Sequence, residues 1–137
     1  MTLPKDREVV SKIPAPPKVA DARRAATALA EVGVARVVLF GSVARGDATE
    51  HSDIDLMAIY DDLDYADRWE RRRALKPLAE KAAGHSVDVV VTDRPEWKVR
   101  TTQVYTSFEN RAARHGLILA DRPPQGAINW TLSLIHI

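Results

Sequence analysis

The sequence predicts one α/β or α+β domain built on a small sheet. The order of hydrophobic periodicities along the chain reads helix, strand, loop, strand, helix, strand, helix. Its length, 137 residues and 15.2 kDa, suits a single core rather than two large ones. Its composition, 45% hydrophobic and 28% charged, is that of an ordinary globular chain.

The elements follow in order. Residues 1–17 read as a flexible arm, because Pro4, Pro14, Pro16 and Pro17 remove backbone donors and favour extended neighbours. From Lys18 the pattern changes. Val19, Ala22, Ala26, Leu29 and Ala30 recur mostly three and four apart, which predicts an amphipathic helix closed by Gly33. Val34 to Phe40 is a β-branched and aromatic strand that stops at Gly41-Ser42. Val43 to Gly46 predicts a short helix, and Asp47 to Ser52 a polar loop. Asp53 to Tyr60 reads as a second strand, apolar on both faces except for its two Asp, and therefore central in a covered sheet. Tyr65 to Ala83 predicts a long helix burying Trp69, Leu75 and Leu78, with Pro77 as a kink or break and Gly84 as its end. Ser86 to Thr92 is the third strand. Pro95 opens a last helix to about Arg114, ended by Gly116, and Leu117 to Ala120 forms a short fourth strand. Thr131 to Ile137 is apolar and follows no upstream pattern. It reads as a chain end lacking its natural continuation, or a reading-frame scar.

Charge and composition exclude several classes. Lys plus Arg is 20 and Asp plus Glu is 19, so the net charge of +1 argues against a histone-like protein or an acidic tail. Without Cys there is no disulfide framework and no thiolate zinc site. No apolar run reaches the roughly 20 residues of a membrane helix, and the N-terminus lacks a signal-peptide core. A cytoplasmic, soluble protein is expected.

The chemistry lies in three acidic residues within apolar strands. Asp53 and Asp55 are two apart, so a strand projects both from one face. Like charges so close raise one another's pKa unless a cation stands between them, and hard oxygen ligands suit Mg²⁺ or Mn²⁺. Asp88 interrupts a valine run in the same way. If its strand lies beside the second, three carboxylates can hold two metals roughly 4 Å apart, as in nucleotidyl transfer. Gly41 lets backbone approach a ligand. The Ser42 hydroxyl and the following N–H groups can hold phosphate oxygens, with Arg45 adding positive charge.

Gly41-Ser42-Val43-Ala44-Arg45-Gly46-Asp47, followed by Ser52-Asp53-Ile54-Asp55-Leu56, resembles the signature of the nucleotidyltransferase superfamily, the DNA polymerase β-like fold. Ten residues separate Gly41-Ser42 from Asp53, the spacing of its minimal nucleotidyltransferase branch. His85-Ser86-Val87-Asp88-Val89-Val90 resembles the strand carrying that family's third carboxylate. The resemblance spans roughly residues 20 to 92. It implies a small mixed sheet of three or four strands with flanking helices, a nucleotidyltransferase domain over 18–122 and a tail over 123–137. It also implies Asp53, Asp55 and Asp88 as catalytic metal ligands, with Gly41, Ser42 and Arg45 binding the nucleotide. Asp88 would help deprotonate an acceptor hydroxyl while pyrophosphate leaves.

The acceptor is less constrained. Polymerases of this superfamily carry further domains to grip nucleic acid, and no extended nucleic-acid surface is evident here. Minimal nucleotidyltransferases often occur as antitoxin partners of all-helical HEPN ribonuclease toxins and resemble enzymes placing AMP on a toxin tyrosine. The resemblance therefore implies ATP as substrate, Mg²⁺ (or Mn²⁺) as cofactor and a HEPN-type toxin as partner. Two alternatives stand beside it: a small-molecule nucleotidyltransferase of the aminoglycoside-modifying kind, and a catalytically idle module that binds a toxin. Plainer readings accompany the single residues. Asp53 and Asp55 can cap a strand, Asp88 can pair with a helix Arg, and Arg45 can be solvated. The basic run Arg68, Arg71, Arg72 and Arg73 reads as a solvated face, with partner or RNA binding as the lesser alternative. Trp69 and Trp97 read as core or domain-contact residues, and His51 as an ordinary loop residue.

Overall fold

A computed structural model describes residues 15–103 and 114–123. The chain runs α1 (Val19–Glu31), β1 (Arg36–Phe40), α2 (Gly41–Arg45), β2 (Ile54–Tyr60), a 3₁₀ turn (Tyr65–Asp67), α3 (Arg68–Ala83), β3 (Val87–Asp93), α4 (Arg94–Gln103) and β4 (Leu117–Asp121). Four strands form one mixed sheet in the order β3-β2-β1-β4. β1 is antiparallel to β2 and β4, whereas β2 and β3 are parallel and joined by the α3 crossover.

Strand alternation divides the sheet into two faces. Val37 and Leu39, Ile54, Leu56 and Ala58, and Val87, Val89 and Val91 point to one face. There α1 contributes Ala22, Ala25, Ala26 and Leu29, and α3 contributes Leu75, Ala79 and Ala83. The alanines let both helices lie close to the sheet, and each buried large side chain stabilises the fold by about 1.5–3 kcal/mol. On the opposite face Val38, Met57 and Ile59 are buried, with Phe40, Val90 and Trp97 of α4 packed against them. β2 is central and buried except for Asp55, as its apolar run predicts.

Local chemistry sets the ends. Asp21 accepts the Lys18 backbone N–H at 2.9 Å, satisfying a donor that α1 leaves open. Asp93 closes β3 and opens α4. Its carboxylate accepts the Glu96 N–H at 2.9 Å and the Leu63 N–H at 3.1 Å. At the end of the sheet where β1 begins and β2 finishes, Asp61 pairs with Arg94 at 2.8 Å and Arg122 at 2.7 Å, and Asp121 pairs with Arg36 at 2.9 Å. Between β1 and β4 the pairing shifts by one residue, from Val37↔Ala120 to Val38↔Ile118, a bulge at Leu119.

Several sequence expectations are corrected. The short helix begins at Gly41, not Val43. The second long helix starts at Arg68 after a separate 3₁₀ turn, and Pro77 lies inside it without ending it. Trp69 is 62% exposed rather than buried: it stands in the first turn of α3, ahead of the stretch that packs on the sheet at Leu75, Ala79 and Ala83. Leu78 is partly buried against the core. The expected continuation of the last helix through 104–113, the arm over 1–14 and the tail over 124–137 lie outside the described residues.

Candidate active site

The ends of three strands and the short helix α2 converge on one cleft of about 450 Å³, lined by Phe40, Gly41, Ser42, Arg45, Asp55, Asp88, Val90 and His115. Register explains the convergence. Phe40 of β1 faces Asp55 of β2, and Asp55 faces Asp88 of β3. Asp55 and Asp88 share the sheet face that carries Met57 and Val90, because two-residue alternation places them there. The parallel register is held by the neighbouring helix: Val87 N–H donates to Glu80 at 3.1 Å, and its carbonyl accepts from Lys76 Nζ at 2.7 Å.

Asp53 precedes β2 and is exposed at the end of the loop. Ser52 shapes that loop. Its hydroxyl accepts the Thr49 N–H at 2.9 Å, while its own N–H donates to the Thr49 carbonyl at 3.0 Å. The Ile54 N–H then donates to Ser86 O at 3.0 Å, which starts the β2–β3 pairing.

Gly41 holds the opposite wall. Its φ is +76°, a left-handed conformation that disfavours any side chain. A Cβ there would also collide with Asp55 Oδ2. The glycine therefore lets the α2 backbone lie directly against the carboxylate. α2 ends at Gly46, φ +85°, whose N–H donates to Ser42 O at 3.0 Å. Arg45 reaches Asp47 at 3.3 Å while also lining the cleft.

The electrostatics are those of crowded, partly buried carboxylates. Burial pushes the Asp55 carboxyl above its ordinary range. The charges of Asp88 and Asp53 add to the rise, and Arg45 offsets part of it. Asp88 is half exposed and accepts from Arg72 Nη2 at 3.2 Å, so the structural pairing with a helix Arg and the place in the cleft occur together. Among the described residues no three His, Asp or Glu side chains already stand at metal-binding spacing. The donor set nonetheless fits a hard divalent cation. It is all carboxylate oxygen, and Asp55 is raised first by burial and then by its acidic neighbours, a crowding of charge that a cation would relieve.

Of the residues singled out from the sequence, Gly41, Ser42, Arg45, Asp55 and Asp88 line one cleft, and Asp53 lies beside it close enough to act on the Asp55 carboxyl. His51 is an exposed loop residue 3.7 Å from Glu50. Sequence reasoning missed His115 and Phe40 as lining residues. Phe40 was legible as the residue before Gly41. His115 enters only through the pairing of β4 with β1, which no local motif encodes.

Residues 22–115 match the nucleotidyltransferase domain family, and the chain belongs to it. Among individual proteins, it is 42% identical over 57 residues to the putative protein adenylyltransferase of Methanocaldococcus jannaschii. That match covers 42% of this chain and 56% of the relative, about half of its length. The fold is similar to a crystal structure of a toxin–antitoxin with AMP-PNP, at a TM-score of 0.51 and 22% identity over 83% of this chain and 86% of that one. A putative nucleotidyltransferase from Sulfolobus solfataricus aligns at a TM-score of 0.48 and 21% identity over 72% of this chain and 76% of that one. Among the described residues no helix is long and apolar enough to cross a membrane.

Proposed function

We propose that the chain transfers a nucleoside monophosphate, AMP from ATP, to a hydroxyl acceptor, and that the acceptor is a tyrosine of a HEPN-type toxin that it neutralises. The observation that carries the reading is the facing of Asp55 and Asp88 across β2 and β3, opposite Gly41 and Ser42 in one cleft. The protein partner and the tyrosine rest on resemblance to minimal nucleotidyltransferases and to an archaeal relative described as a protein adenylyltransferase.

In this reading Asp53, Asp55 and Asp88 hold Mg²⁺ or Mn²⁺. When bound, the cation neutralises the triphosphate and the charge that develops at the α-phosphorus. The α2 N–H groups and the Ser42 hydroxyl hold the polyphosphate, with Arg45 beside it. Asp88 accepts the proton of the acceptor hydroxyl. The acceptor oxygen bonds to the α-phosphorus, the bond from that phosphorus to the bridging oxygen breaks, and pyrophosphate leaves. Positioning and charge neutralisation supply most of the rate.

The test is transfer from α-labelled ATP, with Mg²⁺, to a candidate HEPN-type helical partner. Label is expected on a partner tyrosine with the wild type and is lost with Asp53→Ala. Label on an amino-sugar instead would favour the small-molecule reading. Partner binding without any pyrophosphate release would leave only a binding module.

A further inference from the structure

His115 is the polar lining residue of the cleft that the proposed mechanism does not use. Its place follows from the order of the sheet, β3-β2-β1-β4. Across that order the cleft meets Asp88 on β3, Asp55 on β2, Phe40 at the end of β1 and then His115, two residues before β4 begins. Asp88 and His115 therefore stand at opposite ends of the cleft, with Asp55 between them. Neighbouring strands lie about 4.8 Å apart, so β4 runs roughly 10 Å from β2.

The chemistry gives the two ends different occupants. In-line displacement puts the entering and leaving groups on opposite sides of the phosphorus. The acceptor hydroxyl enters beside Asp88, so pyrophosphate leaves towards the far end, where Gly41, Ser42 and His115 stand. As the bond from the α-phosphorus to the bridging oxygen breaks, negative charge passes to the departing group, and donors at that end hold it more tightly than before. Side-chain donors there are few. Phe40 offers none, and the Arg45 guanidinium is shared with Asp47 at 3.3 Å. His115 is exposed, and among the described residues no hydrogen bond or ion pair holds its ring. His85, by contrast, is paired with Asp21 at 3.3 Å. An imidazole carries at least one N–H in either charge state, so it can donate to a phosphate oxygen without a change of protonation.

We propose that His115 donates a hydrogen bond to the terminal phosphates of the bound nucleoside triphosphate and keeps it on the departing pyrophosphate, which makes it a specificity residue for the polyphosphate tail. The inference rests on the nucleotide cleft proposed above, but not on the identity of the acceptor. Position selects the tail over the other reacting groups. The acceptor enters at the opposite end, and the α-phosphate lies between, beside Asp55. The part of the triphosphate that reaches the β4 side is the part that leaves. A hydrogen bond from a neutral or charged imidazole to phosphate oxygen is of the stronger, charge-assisted kind.

The experiment is calorimetric titration of the full chain with Mg-pyrophosphate, with Mg-ATP and with AMP, comparing the wild type, His115→Ala and His115→Gln. His115→Ala is expected to weaken Mg-pyrophosphate and Mg-ATP about tenfold, the loss of one hydrogen bond to a charged group, and to leave AMP unchanged. His115→Gln keeps an N–H donor and should restore most of the affinity. The ring is on the surface, and thermal melts establish that each variant is folded. A wild type that does not bind Mg-pyrophosphate, an unchanged pyrophosphate affinity in His115→Ala, an equal loss for AMP, or a glutamine variant as weak as the alanine one would overturn the proposal. Transfer of label to a partner is followed separately. Pyrophosphate held through His115 by a chain that labels no protein would remove the acceptor reading alone, whereas transfer with unaltered pyrophosphate affinity in His115→Ala would remove this inference alone.

Discussion

Gly41→Ala probes the site where the fold and the proposed chemistry meet. Two costs arise, and the structure separates them. A non-glycine residue at φ +76° costs about 1–2 kcal/mol in backbone energy. The new methyl would also overlap Asp55 Oδ2, the mobile end of a side chain, so the carboxylate must swing away from its rotamer. That adds about 0.5–1.5 kcal/mol. Gly46→Ala is the matched control, with φ +85° and no atom within 4 Å of the new Cβ. It bears the backbone cost alone. Urea unfolding should therefore place Gly41→Ala below Gly46→Ala by roughly 1 kcal/mol, the rotamer part. The functional gap should be far larger. Displacing Asp55 should weaken Mg-ATP binding, measured by calorimetry, at least about tenfold, whereas Gly46→Ala should change it little. Equal stability and equal nucleotide affinity in the two variants would refute the claim that Gly41 is fitted to Asp55.

Three further outcomes follow from the described contacts. Burial, then Asp88 and Asp53, raise the Asp55 carboxyl, so the folded chain holds that proton more tightly than the unfolded one. This contribution is complete below the ordinary value of 3.8 and is lost as pH rises through the raised folded value. Asp55→Asn should therefore raise Tm at pH 7, leave it nearly unchanged at pH 3 and abolish the stabilisation by Mg²⁺; a lower Tm at pH 7 would contradict this. Asp61 behaves oppositely. Burial pushes its carboxyl up, but hydrogen bonds and charge from Arg94 and Arg122 outweigh it, and the net change is downward. Its stabilisation is present above 3.8 and lost as pH falls through the depressed value, so Asp61→Asn should lower Tm at pH 7, with the gap closing in acid. Leu56→Ala, at a fully buried position in the central strand, should cost about 2–5 kcal/mol by urea unfolding without changing the m-value.

Much of the fold was legible because its periodicities are strong. The apolar runs around Val37, Leu56 and Val89 read as strands, the one around Leu56 as covered on both faces, and the apolar stripe of α1 read as one face of a helix. The Asp55 and Asp88 anomalies were visible for the same reason, as charges in runs that otherwise bury completely. Trp69 misled because an aromatic residue at helical spacing is normally core, yet the first turn of α3 extends beyond the part that packs on the sheet. The Arg72–Asp88 contact joins residues 16 apart across a crossover, and no sequence pattern encodes which of four arginines reaches the strand. His115 was invisible because its place depends on the pairing of a strand distant along the chain.

The one additional residue in β4 has a consequence for that imidazole. Past the bulge the partners are Val38↔Ile118 and Leu39↔Leu117, a register that carries His115 towards Gly41. Had the earlier spacing, Arg36↔Asp121 and Val37↔Ala120, continued, every residue before Leu119 would move one step along β1 and turn to the other side of the sheet. Gly116 would then occupy that position. A single insertion on the edge strand of the described sheet thus decides whether the wall of the cleft carries an imidazole or no side chain at all.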